Sequence, residues 1–175
     1  MYHSNHQFIN EVKVMLSRRL ARRMALQVLF ANEFLHEDVK SVAQRIAESL
    51  NEPLTPFTIE LITKTTEHEA ELNQLIRKHL RNWEFDRVAI FDRVLIRLAL
   101  CEILFFPDIP VEVSINEALE ISKDFCILKS RRFVNGILDS IYKELKADNK
   151  ILKYQPSKGK FKQPKKQPEH KGNSS

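Results

Sequence analysis

Glycine is nearly missing from this sequence, with three in 175 residues. Phosphate-cradling loops and the tight turns of β folds rely on glycine for positive φ and close backbone approach, so its scarcity argues against both. Long hydrophobic runs are missing too. No stretch nears the roughly 20 apolar residues of a membrane span, and the polar first ten residues lack the apolar segment of a signal peptide. A cytoplasmic protein with no membrane partner is expected. Cysteine stops at Cys101 and Cys126, too few for a disulfide framework and without CxxC spacing, so buried reduced thiols are expected.

The parts of an enzyme are absent as well. There is no GxxxxGK[ST], GxGxxG or GxSxG, and His68-Glu69 lacks the second histidine that a zinc-binding HExxH helix needs. His3, His6, His36, His68, His79 and His170 are scattered without ligand spacing. Glu37 and Asp38 fall where a helix begins, a position at which negative charge favours the helix dipole. No catalysis, cofactor or metal is expected.

What the chain does have is positive charge, unevenly placed. The formal net charge is +5, yet residues 150–175 hold eight lysines against Glu169 alone, which leaves residues 1–149 at −2. Any RNA affinity in the body must therefore come from a local cluster of arginines rather than from a generally basic surface.

Apolar spacing predicts an all-α fold of about seven helices. The first spans Ser17 to Leu35, with Ser17 as N-cap and Leu20, Met24, Val28 beside Ala21, Ala25, Leu29 as the buried stripe. A second fits Asp38 to Leu50. Thr55-Pro56 is a cap followed by proline at the first helical position, opening a third, and the polar run Thr65 to Glu69 separates it from a fourth that carries Leu72, Leu75, Ile76 and Leu80. Asp86 to Phe105 is dense in apolar residues, as a helix at the centre of a bundle requires. Val111 to Phe125 and Ser130 to Leu145, the latter capped by Ser130, complete the set. The expected organisation is a loosely ordered extension over 1–16, a helical domain over 17–148, and a disordered Lys-rich tail over 149–175 that cannot bury enough apolar surface to fold.

Two cationic clusters stand out. Arg18, Arg19, Arg22 and Arg23 fall in the first two turns of the expected first helix, where cations are mildly unfavourable, so a function is the reason to keep them there. Their forked donors suit the phosphates of a flexible strand; a solvated face with ion pairs to carboxylates elsewhere is the alternative. The second cluster is Lys129-Ser130-Arg131-Arg132-Phe133. Exposed amides at a helix start bind phosphate, while Phe133 suits either the core or a stack on an unpaired base. Gly136 inside this last helix costs about 0.8–1.0 kcal/mol relative to alanine, and a close helix contact is expected to account for it.

These stretches carry a resemblance. Arg18-Arg19-Leu20-Ala21-Arg22 leading to Ala25-Leu26-Gln27-Val28-Leu29-Phe30, Asp92-Arg93 running into Leu98-Ala99-Leu100-Cys101-Glu102, Ile109-Pro110 before Ile115-Asn116-Glu117-Ala118, and Phe133-Val134-Asn135-Gly136-Ile137-Leu138-Asp139 together resemble the NusB family of antitermination factors from about Ser17 to Leu145. The resemblance implies two small packed helical bundles, no covalent chemistry, and binding of single-stranded boxA RNA with the ribosomal protein NusE on ribosomal RNA operons, which connects the chain indirectly to the RNA polymerase elongation complex. It implies RNA contacts for Arg18, Arg19, Arg22, Lys129, Ser130, Arg132 and Phe133, and NusE contacts for Phe30 and Asp92. It also favours stacking over core for Phe133. The chain departs from relatives where Phe30 and Cys101 replace tyrosines and where Lys129 replaces a frequent acid, the last change strengthening phosphate attraction. The alternatives are a NusB-like module in another RNA task and a helical interaction protein that forms a homodimer.

Overall fold

The structure, a computed structural model, describes residues 3–81, 83–125 and 128–151, with side chains described over 17–81, 83–124 and 130–151. Most of the expected tail and Cys126 lie outside the described residues. Seven α-helices and one 3-10 turn make up the described residues: α1 His3–Leu35, α2 Val39–Leu50, α3 Pro56–Glu67, α4 Glu69–His79, the turn Phe85–Arg87, α5 Ile90–Phe105, α6 Val111–Phe125 and α7 Leu128–Ala147.

Local chemistry places the helix ends. The Asp38 carboxylate accepts from the Ser41 amide at 2.9 Å, and Asn51 closes α2 in the left-handed region at φ 52°. Thr55 caps α3 from the Thr58 amide at 3.1 Å, with Pro56 supplying the preset φ of the first turn. The break expected between Thr65 and Glu69 is a joint at His68, and α4 begins with Glu69 and Glu71 and ends with Arg77, Lys78 and His79, charges that complement its dipole.

Two expected starts are displaced. Helix α1 begins at His3, so Ser17 is an interior helical residue rather than a cap; nothing between them, neither glycine nor proline, interrupts helix formation. Helix α7 begins at Leu128, which puts Ser130 inside its first turn.

The helices group as α1–α3 and α4–α7, joined because α5 also packs on α1 and α3. Val94, Leu95, Ile96, Leu100, Cys101 and Ile103 of α5 are fully or almost fully buried, each of the larger ones contributing about 1.5–3 kcal/mol by leaving water. Burial pushes the Cys101 thiol up to about 12, against a hydrogen bond from Thr65 that lowers it, so this sulfur stays protonated and packed. Arg97 ties the two groups together by pairing with Glu33 of α1 and Glu69 of α4. No described helix is long and apolar enough to cross a membrane.

Candidate nucleic-acid interface

The arginines of α1 lie in the middle of a long helix, so the unfavourable dipole position expected of them does not arise. Each instead meets a carboxylate from a distant part of the chain. Arg18 pairs with Asp108 at 3.1 Å in the turn after α5 and lies over the Phe57 ring. Arg19 grips Glu117 of α6 through two bonds of 2.8 and 2.6 Å, and this hydrogen bond holds its guanidinium above the ordinary value against the opposing effect of burial. Arg22 grips Glu102 of α5 at 2.7 and 3.0 Å and approaches Glu117 at 3.8 Å. Arg23 pairs with Asp124, about two turns beyond Glu117 on α6.

Burial separates these four. The Arg22 side chain is only 5% exposed, against 40% for Arg18, 34% for Arg19 and 36% for Arg23. Arg22 was expected beside RNA; the fold places it inside as a strut between α1 and α5. A guanidinium stripped of water requires such a two-pronged carboxylate, which leaves no face of it for a strand. The inward place taken by Arg22 also turns the helix: Ala21, Met24, Ala25, Val28 and Leu29 are buried, and Leu20, expected in the stripe, is 57% exposed.

Helix α6 carries the connection to the second cluster. Glu120 is held below the ordinary carboxylate range, first by its hydrogen bond from Lys123 at 2.5 Å, then by the positive charges of Lys123, Arg19 and Arg131. Bonded to α1 through Arg19–Glu117 and Arg23–Asp124 and packed against α7, α6 lies between the two clusters. Within the second cluster, Ser130 and Arg131 are half-buried, Arg132 is exposed, and the Lys129 side chain lies outside the described residues. Phe133 packs against the core and is half-buried.

Sequence reasoning missed Trp83. It lies between α4 and the 3-10 turn, is 62% exposed, and its ring centre is 6.5 Å from that of Phe133. The available signal was that the only tryptophan in the chain falls outside every apolar repeat, between Arg81 and Glu84. The close contact expected at Gly136 is absent as well: the residue is exposed, and a Cβ there meets no atom within 4 Å.

The two residues expected at a protein partner lie on the opposite end of α1 and at the start of α5. Phe30 is half-buried in an aromatic group with Phe34 (5.5 Å, edge-on) and Phe91 (6.0 Å), and Phe34 is 60% exposed. Asp92 is buried in the first turn of α5.

Comparison with known proteins places this geometry in a family. The NusB family model matches residues 19–143. A transcription antitermination protein NusB of Bacillus subtilis is 42% identical over 133 residues, spanning 74% of this chain and 98% of that protein. Among solved structures, T. maritima NusB is 36% identical with a TM-score of 0.66, covering 73% of this chain and 91% of the other. A chain from the crystal structure of antitermination factors NusB and NusE in complex with dsRNA is 25% identical with a TM-score of 0.67, covering 73% of this chain and 96% of that one.

Proposed function

The chain belongs to the NusB family of non-catalytic transcription antitermination proteins, and we propose that it works by holding a boxA-like single strand of RNA in partnership with NusE, in the cytoplasm. The observation that carries this reading is the position of α6, bonded to α1 through Arg19–Glu117 and Arg23–Asp124 and packed against α7, which brings the helices of both cationic clusters to one neighbour. Arg18 and Arg19 of α1, with Lys129, Ser130, Arg132 and Phe133 of α7, form the RNA track. Arg22 positions α1 from within. Phosphates attract the cations regardless of sequence, and Phe133 supplies the contact that distinguishes an unpaired base from a paired one.

The NusE surface is the aromatic group around Phe30, with Phe34 as its exposed part and Asp92 shaping the first turn of α5 beneath it. Lys129 adds charge where relatives often have an acid, so the strand binds measurably even without NusE. The Lys-rich segment 149–175 contributes affinity without sequence preference.

Titration of a labelled boxA-like strand, a scrambled strand and a duplex, at two salt concentrations and with or without NusE, tests the proposal. The boxA-like strand is expected to bind most tightly, NusE to increase that margin, and Lys129→Glu to weaken binding and flatten its salt dependence. Equal affinity for all three nucleic acids in every condition rejects the proposal, leaving a nonspecific polycation or a self-associating helical protein.

A further inference from the structure

We propose that Trp83 and Phe133 form a platform on which a nucleobase of a bound RNA strand stacks, extending the RNA track from α7 onto the segment between α4 and α5. The inference rests on the RNA-binding reading above and assigns a base-binding position to a residue outside both cationic clusters.

Three observations converge on this surface. Trp83 leaves 62% of a large apolar side chain in water although Phe133, 6.5 Å away, leads directly to the core. An indole anchored at one edge and open on the other is arranged for a flat partner. Gly136 lies one turn beyond Arg132 and Phe133 on the same helix face, is exposed, and has open space where a side chain would stand. Among the described residues no contact accounts for a glycine at this helical position, whereas bare backbone lets a strand lie close to the helix.

The third observation is charge. Among the described residues no carboxylate pairs with Arg132 or Arg81, both exposed; Arg132 immediately precedes Phe133 in the chain and Arg81 lies two residues before Trp83. Neighbouring cations are already engaged: Arg77 and Arg93 lie over the Phe85 ring at 3.9 and 5.0 Å, and Arg87 pairs with Glu84 at 3.1 Å. An aromatic pair between open cations suits an anionic strand with unpaired bases, because every base offers a π face whatever its sequence. An apolar protein surface has no use for that charge.

Trp83 is the sole tryptophan, so intrinsic fluorescence reports on this position alone when excited beyond tyrosine absorption. The full chain is titrated with a single-stranded RNA of about a dozen nucleotides, following tryptophan emission and the anisotropy of an RNA label in parallel. Emission is expected to be quenched with the same midpoint as the anisotropy rise. Trp83→Ala should bind roughly 5- to 100-fold more weakly, as loss of one base–aromatic stack implies, with the salt slope unchanged because no phosphate contact is removed. Trp83→Phe, which keeps an aromatic face, should recover most of the lost affinity.

RNA binding by anisotropy with unchanged emission, and with Trp83→Ala equal to the parent, overturns the platform while leaving the RNA-binding reading intact. The aromatic pair would then belong to a protein partner. Absence of any anisotropy rise overturns both.

Discussion

The arginines of α1 and those at the start of α7 are the same side chain in opposite circumstances. On α1 every one of the four meets a carboxylate, from Asp108, Glu102, Glu117 or Asp124, and Arg22 is sealed from water. On α7, Arg131 acts on Glu120 only through space and Arg132 stands exposed without a carboxylate partner among the described residues. The first group fastens α1 to α5 and α6, and under the proposed RNA-binding role its exposed members exchange a carboxylate for a phosphate. The second group is open beforehand. A dense arginine cluster in a sequence is therefore not by itself an open phosphate site; the distribution of acids around it decides.

The largest test of this difference removes a carboxylate from the closed group. Glu102→Ala strands the buried Arg22 guanidinium, and stability measured by urea unfolding should fall by about 3–5 kcal/mol, the usual loss when one member of a buried pair is deleted. A fall of less than about 1 kcal/mol would mean that Arg22 reaches water and that the two clusters differ less than their burial indicates.

The complementary change is made in the open group. Arg132→Ala should leave the unfolding midpoint within the narrow range of ordinary surface substitutions, while the slope of log affinity against log salt for a single strand drops by about 0.7. A stability loss with an unchanged slope would reverse the assignment and make Arg132 the strut.

Gly136 sharpens the comparison further, since no described atom lies where its side chain would stand. Gly136→Ala should raise stability by about 0.8–1.0 kcal/mol, seen as a higher thermal midpoint, because the added methyl meets only open space and alanine favours the helix. A lower midpoint would mean that a contact within the chain does occupy that space.

The smallest effect concerns Glu120, between the two groups. Its folded pKa lies below the ordinary carboxylate value, chiefly through the hydrogen bond from Lys123. Its contribution to stability is therefore present above that value and is lost as pH falls through the lower, folded one. Glu120→Gln should bring the parent and variant unfolding midpoints closer together at acid pH than at neutral pH. A gap that stays constant would mean that the hydrogen bond from Lys123 and the charges around it do not hold the Glu120 carboxylate.

Much of this molecule was legible before its structure. The helix start at Asp38, capping by Thr55, the joint near His68 and the density of α5 are set by residues within a few positions of one another, and the helices follow them closely. The start of α1 was not legible, because Ser17 is a good cap and nothing local says that the helix has already begun at His3. Nor was the exposure of Leu20, which follows from Arg22 turning inward toward Glu102, 80 positions away.

Composition and spacing by themselves determined an all-helical, motif-poor chain with two cationic clusters and a separate Lys-rich end. These are properties of neighbours in sequence, and periodicity records them. Only tertiary structure decided which arginines are structural. Glu102 and Glu117 reach Arg22 and Arg19 through the packing of α5 and α6, and the exposed Trp83 meets Phe133 only because α4 and α7 lie side by side. Burial and pairing depend on which distant segments come together, and no local pattern carries that information.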